Sequence, residues 1–79
     1  MELNILYFGM IVEITHKNNE VLTVHEKCNS SELENILAQK YIELSSLNYK
    51  IAIDKEIVTD TITLEPTNEI ALLPPFSGG

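Results

Sequence analysis

The sequence has no arginine and only five lysines, against twelve acidic residues, for a formal net charge of −7. Phosphate contacts need clustered Lys or Arg, so the balance argues against nucleic acid as a partner. The single cysteine, Cys28, cannot close an internal disulfide, and nothing points to an oxidising compartment. No apolar run approaches the ~18 residues of a membrane span. The opening Met1-Glu2-Leu3-Asn4 carries no basic segment of the kind a secretory signal needs. A cytoplasmic protein without membrane contact is therefore expected. Glycine is equally scarce: Gly9, Gly78 and Gly79 form no phosphate-cradling pattern. Repeats, low-complexity tracts and linkers are absent.

What is present fits one domain over residues 1–79. A chain this short buries only about 60–65% of its unfolded surface, which leaves little room for a deep catalytic cleft. An apolar fraction of 44% is ordinary for a globular protein and speaks against disorder. The charge is unevenly placed. After Lys55 come Glu56, Asp60, Glu65 and Glu69 with no further basic residue. Such a stretch is either a solvated acidic face or a surface that steers toward a basic partner.

Leu3 to Phe8 reads as a strand with apolar groups on both faces, hence a central one. Gly9 interrupts it, Ile11 to Thr15 continues as strand or loop, and Lys17-Asn18-Asn19-Glu20 signals a turn. The β-branched run Val21 to His25 predicts a second strand in a hairpin with the first. The period then changes. Asn29, Ser30 and Ser31 are competent N-caps, and Ser31 with Glu34 has capping-box spacing. Leu33, Ile36, Leu37 and Tyr41 follow on one helical stripe, which predicts a helix from about Ser31 to Tyr41. Leu44 to Asn48 reads as a connection and Tyr49 to Ile53 as a strand. Asp54-Lys55-Glu56 makes a turn, and Ile57-Val58 pairs back briefly. Ile62 and Leu64 are apolar anchors, Glu65 to Asn68 is a turn, and Glu69 to Leu73 is a last strand. Two strands, a helix, then two or three strands describe an α+β domain with one helix across a sheet face.

The chain ends Leu73-Pro74-Pro75-Phe76-Ser77-Gly78-Gly79. The prolines cannot donate ladder hydrogen bonds, so they end the strand and hold residues 74–79 as an extended tail. Two final glycines present no Cβ beside the terminal carboxylate, so this end can thread a narrow channel and meet another protein's reacting atoms. The plain alternative is a frayed terminus of small residues.

Three blocks carry a family resemblance: Ile5-Leu6-Tyr7-Phe8-Gly9, the segment Ile51 to Val58, and Glu69 through Gly79. Over its whole length the chain resembles the MoaD family of molybdopterin synthase small subunits, which are ubiquitin-like sulfur carriers. It departs from that pattern at Val12-Glu13, where the family often has Arg-Glu. It departs again at Ile53-Asp54 in place of Val-Asn, and at Pro66-Thr67-Asn68-Glu69 in place of Asp-Gly-Asp-Glu. The tail keeps the pattern.

The resemblance implies a ubiquitin-like β-grasp fold, a mixed sheet with one main helix across one face. It also implies that the Gly79 carboxylate is the working group of a heteromeric sulfurtransferase. An adenylating partner of the ubiquitin-activating type would use ATP to make an acyl-adenylate at Gly79. A sulfur donor such as a persulfide would convert it to a thiocarboxylate, and that sulfur would pass to a precursor pterin held by the large subunit. Gly78, Ser77, Phe76, Pro75 and Pro74 form the tail that delivers it. Phe8 and Leu73 match positions where the family places apolar contacts with the large subunit, and Phe76, just beyond in the tail, is a third expected partner-binding residue. No catalytic side chain, permanently bound cofactor or metal is expected.

Other readings are a carrier for thiamin or tRNA thiolation, a ubiquitin-like modifier, or a non-catalytic interaction module. His16 and His25 have no cysteine or carboxylate at ligand spacing beside them, and read as surface or strand residues. Cys28 precedes the helix, where the dipole would lower a thiol pKa, but with no base beside it a structural role is expected.

Overall fold

The computed structural model describes residues 1–75. β1 (Glu2–Tyr7) alternates with Leu3, Ile5 and Tyr7 buried, as period-2 geometry requires of a strand with one fully covered face. It runs antiparallel to β2 (Asn19–Thr23), Ile5 opposite Glu20 and Leu3 opposite Leu22. The second strand thus begins earlier than Val21, and half of the expected turn lies inside it.

The link between β1 and β2 is a short helix, α1 (Met10–Thr15), where the sequence suggested strand or loop. Ile11 and Thr15 are both buried four residues apart while Glu13 between them is exposed; a strand would set all three on one face, whereas a helix turns Glu13 away. Gly9 opens α1 at φ 58 and His16 closes it in the left-handed region at φ 62.

α2 spans Ser30–Lys40, close to expectation, but its capping box is Asn29 with Glu32 rather than Ser31 with Glu34. The Glu32 N–H donates to Asn29 Oδ1 (2.8 Å) and the Asn29 N–H donates to Glu32 Oε1 (3.0 Å). The long-range partner of Ser30 sets this start. Its N–H donates to the Ile62 carbonyl (2.8 Å), and its Oγ accepts from the Ile62 N–H (3.0 Å). With Leu64 N–H on the Cys28 carbonyl (2.9 Å), these bonds hold Cys28 and Asn29 against the 62–64 segment. A cap of this kind is worth ~1 kcal/mol. Leu33 and Leu37 are fully buried against the sheet.

Ile42–Ser46 forms a 3-10 turn, not a bare connection, and inserts Leu44 into the core. β3 (Lys50–Ile53) and β4 (Glu56–Ile57) form a hairpin whose loop residues Asp54 (φ 52) and Lys55 (φ 70) both have positive φ. That conformation matches the right-handed twist of the flanking strands. Asp54 is anchored there, accepting from the Glu69 N–H at 2.8 Å and the Asn68 side-chain amide at 2.9 Å. Asp54 and Asn68 both depart from the resembled family's pattern, and here they bind each other.

β5 (Glu69–Leu73) lies between β1 and β3, giving the order β2-β1-β5-β3-β4, with β1 and β5 the parallel pair. This mixed five-stranded sheet with α2 across one face is the expected ubiquitin-like β-grasp. Among the described residues no helix is long and apolar enough to cross a membrane.

One charged group sits under the helix-covered face. Glu20 is 7% exposed and accepts from Tyr7 and Tyr41 hydroxyls (2.7 Å each), from Lys17 Nζ (3.1 Å) and from Lys40 Nζ. Burial pushes its carboxyl up, but the bonds from Lys40, Tyr41, Tyr7 and Lys17 outweigh it and hold the pKa at about 2. Burial, then Glu20 itself, raises the Tyr7 phenol, which stays a donor. A carboxyl depressed from 4.5 to about 2 adds stability that is present above 4.5 and lost as pH falls toward 2. Glu20→Gln should therefore cost on the order of 2 kcal/mol at neutral pH. It should also flatten the pH dependence of urea unfolding below 4.5. An unchanged acid limb would contradict this assignment.

Candidate functional site

The face of the sheet away from α2 carries an apolar row that strand register dictates. Leu6 pairs with Ala71, Ala71 with Ala52, and Ala52 with Ile57, so one line crosses β1, β5, β3 and β4. The two alanines leave a trough between larger neighbours. Phe8 and Leu73 flank it where β1 and β5 both end. Together with Lys55 and Glu69 these residues line a cavity of about 420 Å³.

Phe8 is 45% exposed and Ile57 49% exposed, and Leu73 is half-buried; none belongs to the core. The core is built from the opposite face, by Leu3, Ile5, Tyr7, Ile70 and Leu72. Sequence reasoning found Phe8 and Leu73 but not Leu6, Ala52, Ala71 or Ile57. The alternation of β1 already set Leu6 and Phe8 on one face. The rest follows only from the register of β1 on β5 and of β3 on both β5 and β4.

The parallel pairing also fixes where the chain leaves the sheet. Tyr7 lies opposite Leu72, so Gly9 and Pro74 come out side by side. A Cβ built on Gly9 would lie 2.8 Å from Pro74 Cγ. Gly9 also has φ 58 and ψ −136, a region essentially reserved for glycine. Pro74 and Pro75 are both half-buried as they depart. Phe76, Ser77, Gly78 and Gly79 lie outside the described residues.

A second cluster stands at the other end of the sheet. His25, Cys28 and Glu32 each place a donor atom within 4.8 Å of the others. The expectation that His25 has no cysteine or carboxylate at ligand spacing is corrected here, since Cys28 stands three and Glu32 seven residues after it. A turn with Lys27 at φ 64 and Cys28 N–H on the His25 carbonyl (3.3 Å) folds His25 back. The capping box then brings Glu32 across. Cys28 is fully buried, and burial first, the Glu32 charge second, raises its thiol pKa. The lowering expected from the helix dipole is overridden. His16 instead closes α1.

Comparison with known proteins gives the same outline. The ThiS family model matches residues 5–79. A molybdopterin synthase sulfur carrier subunit from Caenorhabditis briggsae is 31% identical over 83 residues, covering 100% of this chain and 99% of that one. Among solved structures, a putative molybdopterin converting factor, subunit 1, from Pyrococcus furiosus superposes with a TM-score of 0.87. It covers 96% of this chain and 99% of its own at 13% identity, a likeness of fold. A chain in the complex of subunits 1 and 2 of the molybdopterin-converting factor from Helicobacter pylori matches at 26% identity. Its TM-score is 0.69 and the whole of both chains is covered.

Gly9→Ala tests the link between the first strand and the departing chain. Strain at that backbone conformation should cost about 1–3 kcal/mol, and the new methyl should displace the Pro74 ring. Thermal unfolding and amide shifts of Leu72 and Leu73 would report both. An unperturbed protein would show that Gly9 is not needed where it stands.

Proposed function

The chain belongs to the ThiS family, and from that membership we propose that it is the sulfur-carrier subunit of a molybdopterin synthase, working through the carboxylate of Gly79. The observation that carries this reading is the shared end of β1 and β5. It sets an apolar trough beside the point where the chain departs at Pro74, so one surface docks while the tail reaches inward. The relative from Caenorhabditis briggsae bears the name of that subunit, and the Helicobacter pylori match is bound to a second subunit.

A carboxylate is a poor electrophile, so activation comes first. The Gly79 oxygen attacks the α-phosphorus of ATP on an adenylating enzyme, and pyrophosphate leaves. The outer sulfur of a persulfide then attacks the acyl carbon and AMP leaves. Cleavage of the resulting S–S bond by a thiol frees the thiocarboxylate. That soft nucleophile delivers sulfur to a precursor pterin on the large subunit, and two deliveries complete a dithiolene. The carrier's own residues contribute position. The domain docks through Phe8, Leu73 and the tail residue Phe76, and Gly78 presents no side chain to the channel. Holding the tail there raises the effective molarity of the sulfur. The net charge of −7 suits a basic partner and a salt-sensitive association rate.

Intact-mass analysis after incubation with an activating enzyme, ATP and a sulfur donor should show oxygen replaced by sulfur at the C-terminus. Deleting Gly79 should abolish both that mass change and sulfur transfer while leaving thermal unfolding unchanged. Transfer by the deletion variant would remove the proposal. The docking role has its own test in Phe8→Ala. A core Phe→Ala costs about 3–5 kcal/mol of stability; here stability should change far less, while affinity for the large subunit falls by roughly 2 kcal/mol or more. Stability lost without affinity would place docking elsewhere.

A further inference from the structure

Nothing in that scheme uses the His25 end of the sheet, which lies where β1 begins and β2 finishes, with Val24 N–H on the Met1 carbonyl (2.8 Å). The tail departs from the opposite end, past Tyr7 and Leu72. Three features at the His25 end point to a cation.

The first is the ring's environment. His25 Nδ1 lies 2.8 Å from the Glu26 carbonyl oxygen and Nε2 lies 3.2 Å from Glu32 Oε2. Both neighbours are acceptors. A metal ion held jointly by Nε2 and Oε2 would join these two facing lone-pair atoms, while Nδ1 keeps its contact with the Glu26 carbonyl. The second is preorganisation. The Glu26 carbonyl fixes one ring nitrogen as donor, and the Asn29 N–H holds Glu32 Oε1 at 3.0 Å, which turns Oε2 toward His25 Nε2 as a single-oxygen ligand. Such outer partners are what orient metal-binding side chains. The third is the donor set. The three donor atoms all lie within 4.8 Å of one another. Tetrahedral zinc, with bonds of about 2.0–2.3 Å, separates its ligands by roughly 3.3–3.8 Å, so small side-chain shifts close the site. Thiolate and carboxylate together balance a divalent charge, and the ion's own charge would offset the burial and the Glu32 charge that otherwise disfavour the thiolate.

We propose that His25 Nε2, Cys28 Sγ and Glu32 Oε2 form a binding site for a divalent transition ion of the zinc class. A sulfur and an imidazole select such ions over calcium and magnesium. The fourth position faces solvent, since the His25 and Glu32 side chains are 59% and 45% exposed. On binding, the Cys28 S–H bond breaks, a metal–sulfur bond forms, and the thiol proton and any proton on Nε2 pass to water. No electrons change hands. The ion would tie the connection after β2 to the first turn of α2 and leave the tail untouched.

Cobalt(II) titration of the full chain, with Gly79 as a plain carboxylate, tests this. The expected result is tetrahedral d–d absorption with a thiolate-to-cobalt charge-transfer band, both removed by added zinc. His25→Ala and Glu32→Gln, on exposed side chains, should each weaken cobalt binding by more than about tenfold. His16→Ala should not. Cys28→Ser should lose the charge-transfer band, and because Cys28 is buried its folding is checked by circular dichroism. An octahedral spectrum without charge transfer, or affinity unchanged in both His25→Ala and Glu32→Gln, would overturn the site.

Discussion

Parallel pairing of β1 with β5, from Asn4 opposite Glu69 to Tyr7 opposite Leu72, determines what each face of this sheet can become. It joins the first and last strands, so residues at opposite ends of the sequence share one hydrophobic layer, with Ile5 beside Ile70 and Tyr7 beside Leu72. A slip of one residue would turn those groups outward and put Ala71 and Leu73 into the core. The same register builds the Leu6–Ala71–Ala52–Ile57 trough. Core and trough are two readings of one alignment.

The Glu20 cluster adds to that alignment from the side. Glu20 sits opposite Ile5 on β2, facing the helix-covered layer, where an unpaired carboxylate would be costly. Tyr7 from β1, Tyr41 after α2, and Lys17 and Lys40 converge on it. The Tyr7 and Tyr41 rings also meet edge to face at 6.3 Å. A buried carboxylate with several fixed donors accepts few arrangements of its neighbours. It therefore favours one placement of the end of α2 over β2.

Strands with strong alternation were legible from sequence, and β5 spans Glu69–Leu73 as expected, its apolar run Ile70 to Leu73 preceded by one charged residue. α1 was not, because a six-residue helix offers one buried i, i+4 pair and resembles the strand before it. The cap of α2 moved to Asn29 because Ser30 is committed to Ile62, a partner far away in sequence. Of the candidate site, Phe8 and Leu73 were legible as apolar residues at strand ends, and Pro74 as a stop. The trough was not, since small residues such as Ala52 and Ala71 carry no signal until register aligns them. The His25, Cys28 and Glu32 grouping was hidden for a similar reason. It depends on a turn with positive φ at Lys27, an unfavoured residue for that conformation.

The central position of β5 has a mechanical consequence. β5 is hydrogen-bonded along both edges, to β1 and to β3, and its axis runs straight into Pro74. When a partner that grips the domain also draws on the tail, the force acts along the strand. Both ladders are then stressed in shear, all their bonds together, instead of being peeled open one bond at a time. The strand that hands over the tail is the one the sheet resists losing most.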